Sequence, residues 1–159
     1  MLTFVARTAA SATSPGLRQS VQHEQYFCHI QNLGGLIAAV FVDEDYPSRP
    51  AFSIAKHVIT RFDERSRDSW REQEKDCTLA NDILEDALQE FQDPAKADKI
   101  FKLTREVDDI KVIMHKNIDT MLDRGEKIDV LVAKSNDLSS TSKVFYKQAK
   151  KTKRCCIIM

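Results

Sequence analysis

From Val21 to Val42 the side chains alternate with a period of two, Tyr26, Cys28 and Ile30 on one side and Phe27 and His29 on the other, followed by Gly34-Gly35 and the apolar run Leu36 to Val42. Successive side chains of a strand point to opposite faces and paired glycines accept the backbone of a tight turn, so this stretch predicts an antiparallel hairpin whose second strand is buried. Residues 1 to 20, rich in Ala, Ser and Thr with Pro15-Gly16, read as a frayed helix end followed by a loop. Beyond the hairpin the segment Asp43 to Pro50 is polar and turn-rich, and Pro50 suits the first turn of a helix. The period then changes to that of a helix. Phe52, Ala55, Val58, Ile59 and Phe62 form one apolar stripe that should cover the hairpin. After a polar loop containing Trp70, a second amphipathic helix is predicted from about Cys77 to Phe91, carried by Leu79, Ile83, Ala87 and Leu88 and ended by Asp93-Pro94.

A third regime runs from Ala95 to about Lys153 with no proline and one glycine. Alternating steps of three and four trace a mostly apolar seam: Ile100, Leu103, Val107, Ile110, Met114, Asn117, Met121, Arg124, Ile128, Leu131, Ser135, Leu138, Ser142, Phe145, Ala149 and Thr152. A seam sustained this long predicts a left-handed coiled coil, and a lone helix of that length would leave its stripe unburied, so partner helices are required. The small residues Ser135, Ser142 and Ala149 point to a crowded bundle rather than a simple dimer. Arg124 puts a permanent charge on that seam. Two readings stay open: a buried cation met by polar partners, which fixes register, or a boundary residue reaching solvent, because Ile118, Leu122 and Val132 also lie near the stripe.

Composition adds limits. With 159 residues, 42% of them apolar, the chain fits one small domain plus an extension. Its longest nearly apolar run, Leu33 to Val42, is too short for a bilayer-spanning helix, and the first twenty residues lack the charged start and apolar centre of a signal peptide. A cytosolic setting with reduced thiols is therefore expected. Cys28 and Cys77 are isolated and Cys155-Cys156 are adjacent, so no zinc-type spacing exists. His23, Cys28 and His29 read as ordinary strand residues rather than a nucleophile and its base, since neighbours on a strand face opposite ways. Four glycines form no phosphate-binding loop, which excludes nucleotide chemistry of the small-GTPase kind.

Charge and terminus together point to a membrane surface. The net charge is zero, yet Lys143, Lys147, Lys150, Lys151, Lys153 and Arg154 follow Asp137 with no acidic residue after it, so the remainder is acidic. Each such cation beside an anionic leaflet contributes roughly 1 kcal/mol. The chain ends Cys155-Cys156-Ile157-Ile158-Met159, in which Cys156 heads a C-a-a-X box whose terminal Met favours farnesyl. Cys155 offers a second lipid position, which matters because a single chain gives only marginal membrane residence.

Several segments together resemble the prenylated longin-type R-SNAREs: Tyr46-Pro-Ser-Arg49 before an apolar helix, Asp108 to His115 as DDIKVIMH, Asp123-Arg-Gly-Glu-Lys-Ile128, Lys143 to Lys150 as KVFYKQAK, and the final CCIIM. The resemblance runs from about Phe4 to Met159. It implies an α+β fold: a truncated longin (profilin-like) domain with antiparallel strands and two helices over residues 1–94, a long coiled-coil SNARE helix over 95–153, and a lipidated tail over 154–159. It further implies that Arg124 is the central ionic-layer arginine, meeting three glutamine-bearing SNARE helices, and that zippering drives intracellular vesicle fusion on ER-Golgi, endosomal and vacuolar or lysosomal routes. Cys156 would carry farnesyl, added by a prenyltransferase, and Cys155 palmitoyl or a second prenyl group. No cofactor, metal or nucleic acid enters this picture, and the protein would exchange between cytosol and the cytoplasmic face of its target membranes. A lipid-anchored, nonfusogenic regulator of SNARE assembly is the alternative. Some members of the family are credited with self-acylation, for which the sequence offers no independent site. The chain departs from the family at its front, where two strands and most of a helix of the longin domain have no counterpart. An unpaired strand edge and a partly uncovered sheet face are therefore expected, and the groove that shelters the lipid in the closed form would be incomplete.

Overall fold

The computed structural model describes residues 1–67, 69–73, 75–94, 112–122 and 128–144. The first helix, α1 (Leu2–Ser11), is longer and better anchored than a frayed end, because Phe4, Val5 and Ala9 form a stripe that is fully buried. The Thr13 hydroxyl donates to the Ala9 carbonyl at 2.7 Å and closes its last turn. Three antiparallel strands follow: β1 (Arg18–His23), β2 (Tyr26–Leu33) and β3 (Leu36–Asp43). The predicted Gly34-Gly35 turn joins β2 to β3 with φ of +61° and +97°. Only glycine adopts consecutive left-handed residues without strain, and this turn sets the register that pairs Leu33 with Leu36 and His29 with Val40.

Helix α2 (Ser48–Ser66) carries the expected stripe, with Ala51, Phe52, Ala55 and Ile59 buried, and packs on the face of β2 and β3 opposite α1. Pro50 lies within its first turn, where a missing N–H costs nothing. A 3-10 turn at Ser69–Glu72 leads to α3 (Asn81–Glu90), whose Ala87, with Phe91 just beyond it, packs on Ile54 and Val58 of α2. The α+β class expected from the sequence is the one formed.

The pleat divides β2 between two environments. Cys28 and Ile30 enter the core beneath α1, whereas His29 turns toward α2, its ring 5.1 Å from that of Phe52 and 6.0 Å from that of Phe27. Burial pushes the Cys28 thiol up to about 12 and the His29 imidazole down to about 4. Both shifts fit the ordinary strand residues that the alternation suggests. His29 Nδ1 shares a 2.6 Å hydrogen bond with the Ser20 hydroxyl. Because His29 binds its proton near pH 6.5 when unfolded and near 4 when folded, the unfolded state holds more protons between those values. Stability should therefore be full above pH 6.5 and fall by on the order of 3 kcal/mol as pH drops toward 4. Urea titrations across that window test this. The His29→Phe variant should lose the slope, and a flat wild-type profile would refute it.

A fourth strand, β4 (Val112–His115), completes the sheet by running parallel to β1, giving the order β3-β2-β1-β4. Most of the stretch 95–153, expected as one coiled-coil helix, lies outside the described residues. Among the described residues of that stretch, the free chain forms β4, a 3-10 turn at Ile118–Thr120, a short helix α4 (Ile128–Lys134) and a further helical turn starting at residue 140. The physical reason is the one that made partners necessary. A stripe with no partner helices finds its burial elsewhere, and here the open edge of β1 and the flank of α1 provide it.

Candidate functional site

The seam segment is held against the first domain by one shared core. Ile118, Met121, Ile128, Val132 and Leu138, all under 9% exposed, cluster with Phe4, Val5 and Ala9 of α1, Val21 of β1, and Cys28 and Ile30 of β2. The local sequence explains each placement. Val112-Ile113-Met114 is a short β-favouring run that can extend the sheet. Asn117 then stops the strand, its side-chain oxygen accepting from the Thr120 amide at 3.1 Å and capping the 3-10 turn that presents Ile118. In α4, Ile128 and Val132 are one turn apart and enter the core together, while Leu131 is half-buried beside them.

Polar contacts fix the docked arrangement. The buried Gln19 side chain of β1 donates from Nε2 to the Ala12 carbonyl at 2.9 Å and to the Thr13 hydroxyl at 3.1 Å, and its Oε1 lies 2.6 Å from His115 Nε2 on β4. The donor on His115 is therefore Nε2, since an amide oxygen can only accept. One side chain thus ties the end of α1 to the seam segment. At the surface, Arg7 of α1 pairs with Asp76 at 2.7 Å and with Asp137 at 3.3 Å. These exposed ion pairs orient rather than stabilise, being worth at most about 1 kcal/mol each.

A cavity of about 630 Å³ lies between α1 and the docked segment. Its lining combines the apolar Phe4, Ala12, Met121, Leu122 and Leu131 with the polar Arg7, Thr8, Lys134 and Ser135. A lining that mixes apolar, hydroxyl and cationic groups suits an amphiphile.

The structure separates the sequence-predicted seam into three groups. Met121, Ile128 and Leu138 are buried in the shared core. Met114 is 60% exposed on β4, Asn117 caps a turn, and Leu131 and Ser135 line the cavity, while Ser142 donates its amide to the Ser139 hydroxyl at 3.1 Å. Ile100, Leu103, Val107, Ile110, Arg124, Phe145, Ala149, Thr152, Cys155 and Cys156 lie outside the described residues. Sequence reasoning missed Gln19 and His115 as parts of the site, and placed Val132 only near the stripe. The one available signal was the Val112-Ile113 pair, whose β-branched side chains favour a strand over a helix. Among the described residues, no cluster of His, Cys, Asp or Glu could hold a metal ion, and no helix is long and apolar enough to cross a membrane.

Comparison with known proteins places this arrangement. The profile of the longin, or Regulated-SNARE-like, domain matches residues 1–82, and that of synaptobrevin matches residues 99–158. The VAMP-like protein YKT61 of Arabidopsis thaliana is 51% identical over 156 residues, covering 98% of this chain and 78% of that protein. The synaptobrevin homolog YKT6 of Saccharomyces cerevisiae is 40% identical over 165 residues, covering 99% of this chain and 80% of that protein. The chain belongs to the longin-type synaptobrevin family of SNAREs. In this SNARE, α1, the strands β1 to β3 and α2 fall in the longin match, and β4 and α4 in the synaptobrevin match. The shared core therefore joins the two modules of the SNARE to each other in the free chain.

Proposed function

We propose that this chain is an R-SNARE that zippers with three glutamine-bearing SNARE helices to drive vesicle fusion on ER-Golgi, endosomal and vacuolar or lysosomal routes. Membership of the synaptobrevin family supports an R-SNARE role in vesicle trafficking. The observation that carries the reading is the double use of Met121, Ile128 and Leu138. These side chains stand on the 3-4 seam and are also buried in the core of the free chain. The same atoms cannot fill both places, so the docked form and the zippered form exclude each other. Partner helices must outcompete α1 and the sheet, and the docked chain is a closed state that holds the seam until partners arrive. The protein supplies binding energy and no bond chemistry.

In the open form, Arg124 would take the centre of the bundle opposite three glutamines. Cys156 would carry farnesyl and Cys155 palmitoyl or a second prenyl group, with the basic residues from Lys143 to Arg154 against the anionic leaflet. The cavity beside α1, about 630 Å³ with a lining of mixed polar and apolar groups, is where a prenyl chain would lie in the closed protein. Reconstituted lipid mixing tests the reading. Lipidated protein in one vesicle population and three glutamine-bearing SNARE helices in the other should give fusion. Arg124→Ala, which leaves buried glutamines without a donor at a cost of about 2 kcal/mol, should slow it more than tenfold. A wild-type chain that binds the partners without lipid mixing would make it the nonfusogenic regulator instead.

A further inference from the structure

β4 is a strand of four residues, and three of them, Val112, Ile113 and Met114, are apolar. Its parallel pairing on β1 sets Gln19 opposite Ile113, Ser20 opposite Met114 and Val21 opposite His115. Because the pleat has a period of two, Ile113 and His115 share the α1 side of the sheet with Gln19 and Val21. A slip by one residue would turn the strand over and bring Met114 and Lys116 to that side. A slip by two keeps the faces, and a ladder this short resists it with few backbone bonds. Side-chain chemistry therefore has to choose the register.

Gln19 is held in a way that makes this choice. It is 5% exposed, and both protons of its amide are already used, on the Ala12 carbonyl at 2.9 Å and the Thr13 hydroxyl oxygen at 3.1 Å. Thr13 is pinned in turn, its hydroxyl donating to the Ala9 carbonyl at 2.7 Å and its carbonyl accepting from the Asn32 side chain at 2.8 Å. Asn32 closes this buried cluster by accepting from the Gly35 amide at 3.1 Å, at the turn between β2 and β3. Turning the Gln19 amide over would set its oxygen against the Ala12 carbonyl, so the oxygen stays aimed at β4 and needs a donor there. Within β4, His115 alone carries a side-chain donor, and its Nε2 lies 2.6 Å from that oxygen.

We propose, resting on the closed state described above, that Gln19 and His115 are positioning residues which select the register in which the SNARE segment docks. If the segment slips by two so that Ile113 stands beside Val21, an aliphatic side chain replaces the imidazole and the buried oxygen loses its donor. The opposite slip draws Asn117 into the ladder beside Val21, where its side chain no longer caps the 3-10 turn at the Thr120 amide. Only the observed register satisfies both groups, and it is the one that delivers Ile118 and Met121 to the core beneath α1.

Nuclear magnetic resonance of the full unlipidated chain, without partners, tests the proposal. In the wild type, cross-strand contacts should link Ser20 to Met114 and Val21 to His115. His115→Leu removes the donor and should speed amide exchange of β4 about tenfold or more while weakening those contacts, with β2 and β3 exchanging as before. His115→Gln, whose amide can still donate to the Gln19 oxygen, should restore both. A general loss of packing would reach β2 and would not be repaired by His115→Gln. The association rate with glutamine-bearing SNARE helices separates the register device from the closed-state reading. Faster exchange in His115→Leu with an unchanged association rate would support the pair as the register device and overturn the closed state as a restraint. Wild-type exchange and contacts in His115→Leu, failure of His115→Gln to restore them, or acceleration spread equally over β2 and β3 would each overturn the proposal.

Discussion

Val132→Asp should open the closed form. Val132 is fully buried between α4 and the core beneath α1, and the shared core that contains it offers a carboxylate no polar partner. Stranding a carboxylate there costs about 3 kcal/mol or more, which multiplies the open population at least a hundredfold. The position is chosen because it is off the 3-4 seam. Ile128, Leu131 and Ser135 keep their places for zippering, so the variant removes the restraint without damaging the bundle. Two readouts are expected to move together: amide exchange of β4 should accelerate, and association with glutamine-bearing SNARE helices should become correspondingly faster. Leu131→Asp makes the contrast, since it lines the cavity and also sits on the seam, and should open the closed form yet block assembly. If Val132→Asp leaves both exchange and association as in the wild type, the docked core is not what holds the SNARE segment back.

Cys156→Ser should remove the lipid-borne attachment of the protein to membranes. Burial of a lipid chain contributes about 0.8 kcal/mol per methylene, and one saturated fourteen-carbon chain gives a partition constant on the order of 10⁴ M⁻¹. A second lipid at Cys155 adds to this only if the first has brought the protein to the membrane. Loss of Cys156 should therefore abolish detergent partitioning and a farnesyl-sized mass increment, leaving the weak, salt-sensitive attraction of the six basic residues from Lys143 to Arg154. Cys155→Ser should keep the mass increment and give intermediate residence. Intact mass and phase partitioning of protein from eukaryotic cells distinguish the cases. A Cys156→Ser protein that still enters the detergent phase would refute the assignment of the anchor.

Agreement between sequence and structure follows the range of the interactions involved. The β2–β3 hairpin was legible because its determinants are local: a two-residue glycine turn and side chains alternating across a few positions. The stripe of α2 was legible for the same reason. The ends were less so. The first helix reads as frayed from composition, but Phe4, Val5 and Ala9 are buried by strands and by Ile118, Met121 and Val132, residues more than a hundred positions away. No local pattern announces such a partner.

The seam shows the division most clearly. A heptad pattern records what a segment buries when partner helices surround it, and three of its positions, Met121, Ile128 and Leu138, are buried in the core of the free chain. It says nothing of what they bury against in their absence. That was decided by an open strand edge at β1, the flank of α1 and the Gln19 side chain, which come together only once the sheet has formed. Sequence alone thus determined the hairpin, the helix over its face, the apolar seam and the basic, cysteine-ended tail, because each is written in spacing or in chemistry along the chain. Tertiary structure alone decided that Val112–His115 is a strand and that Val132 and Gln19 belong to the site. Conformation there is set by contacts with distant residues: β4 by backbone pairing with β1, and Val132 and Gln19 by burial against α1 and the sheet.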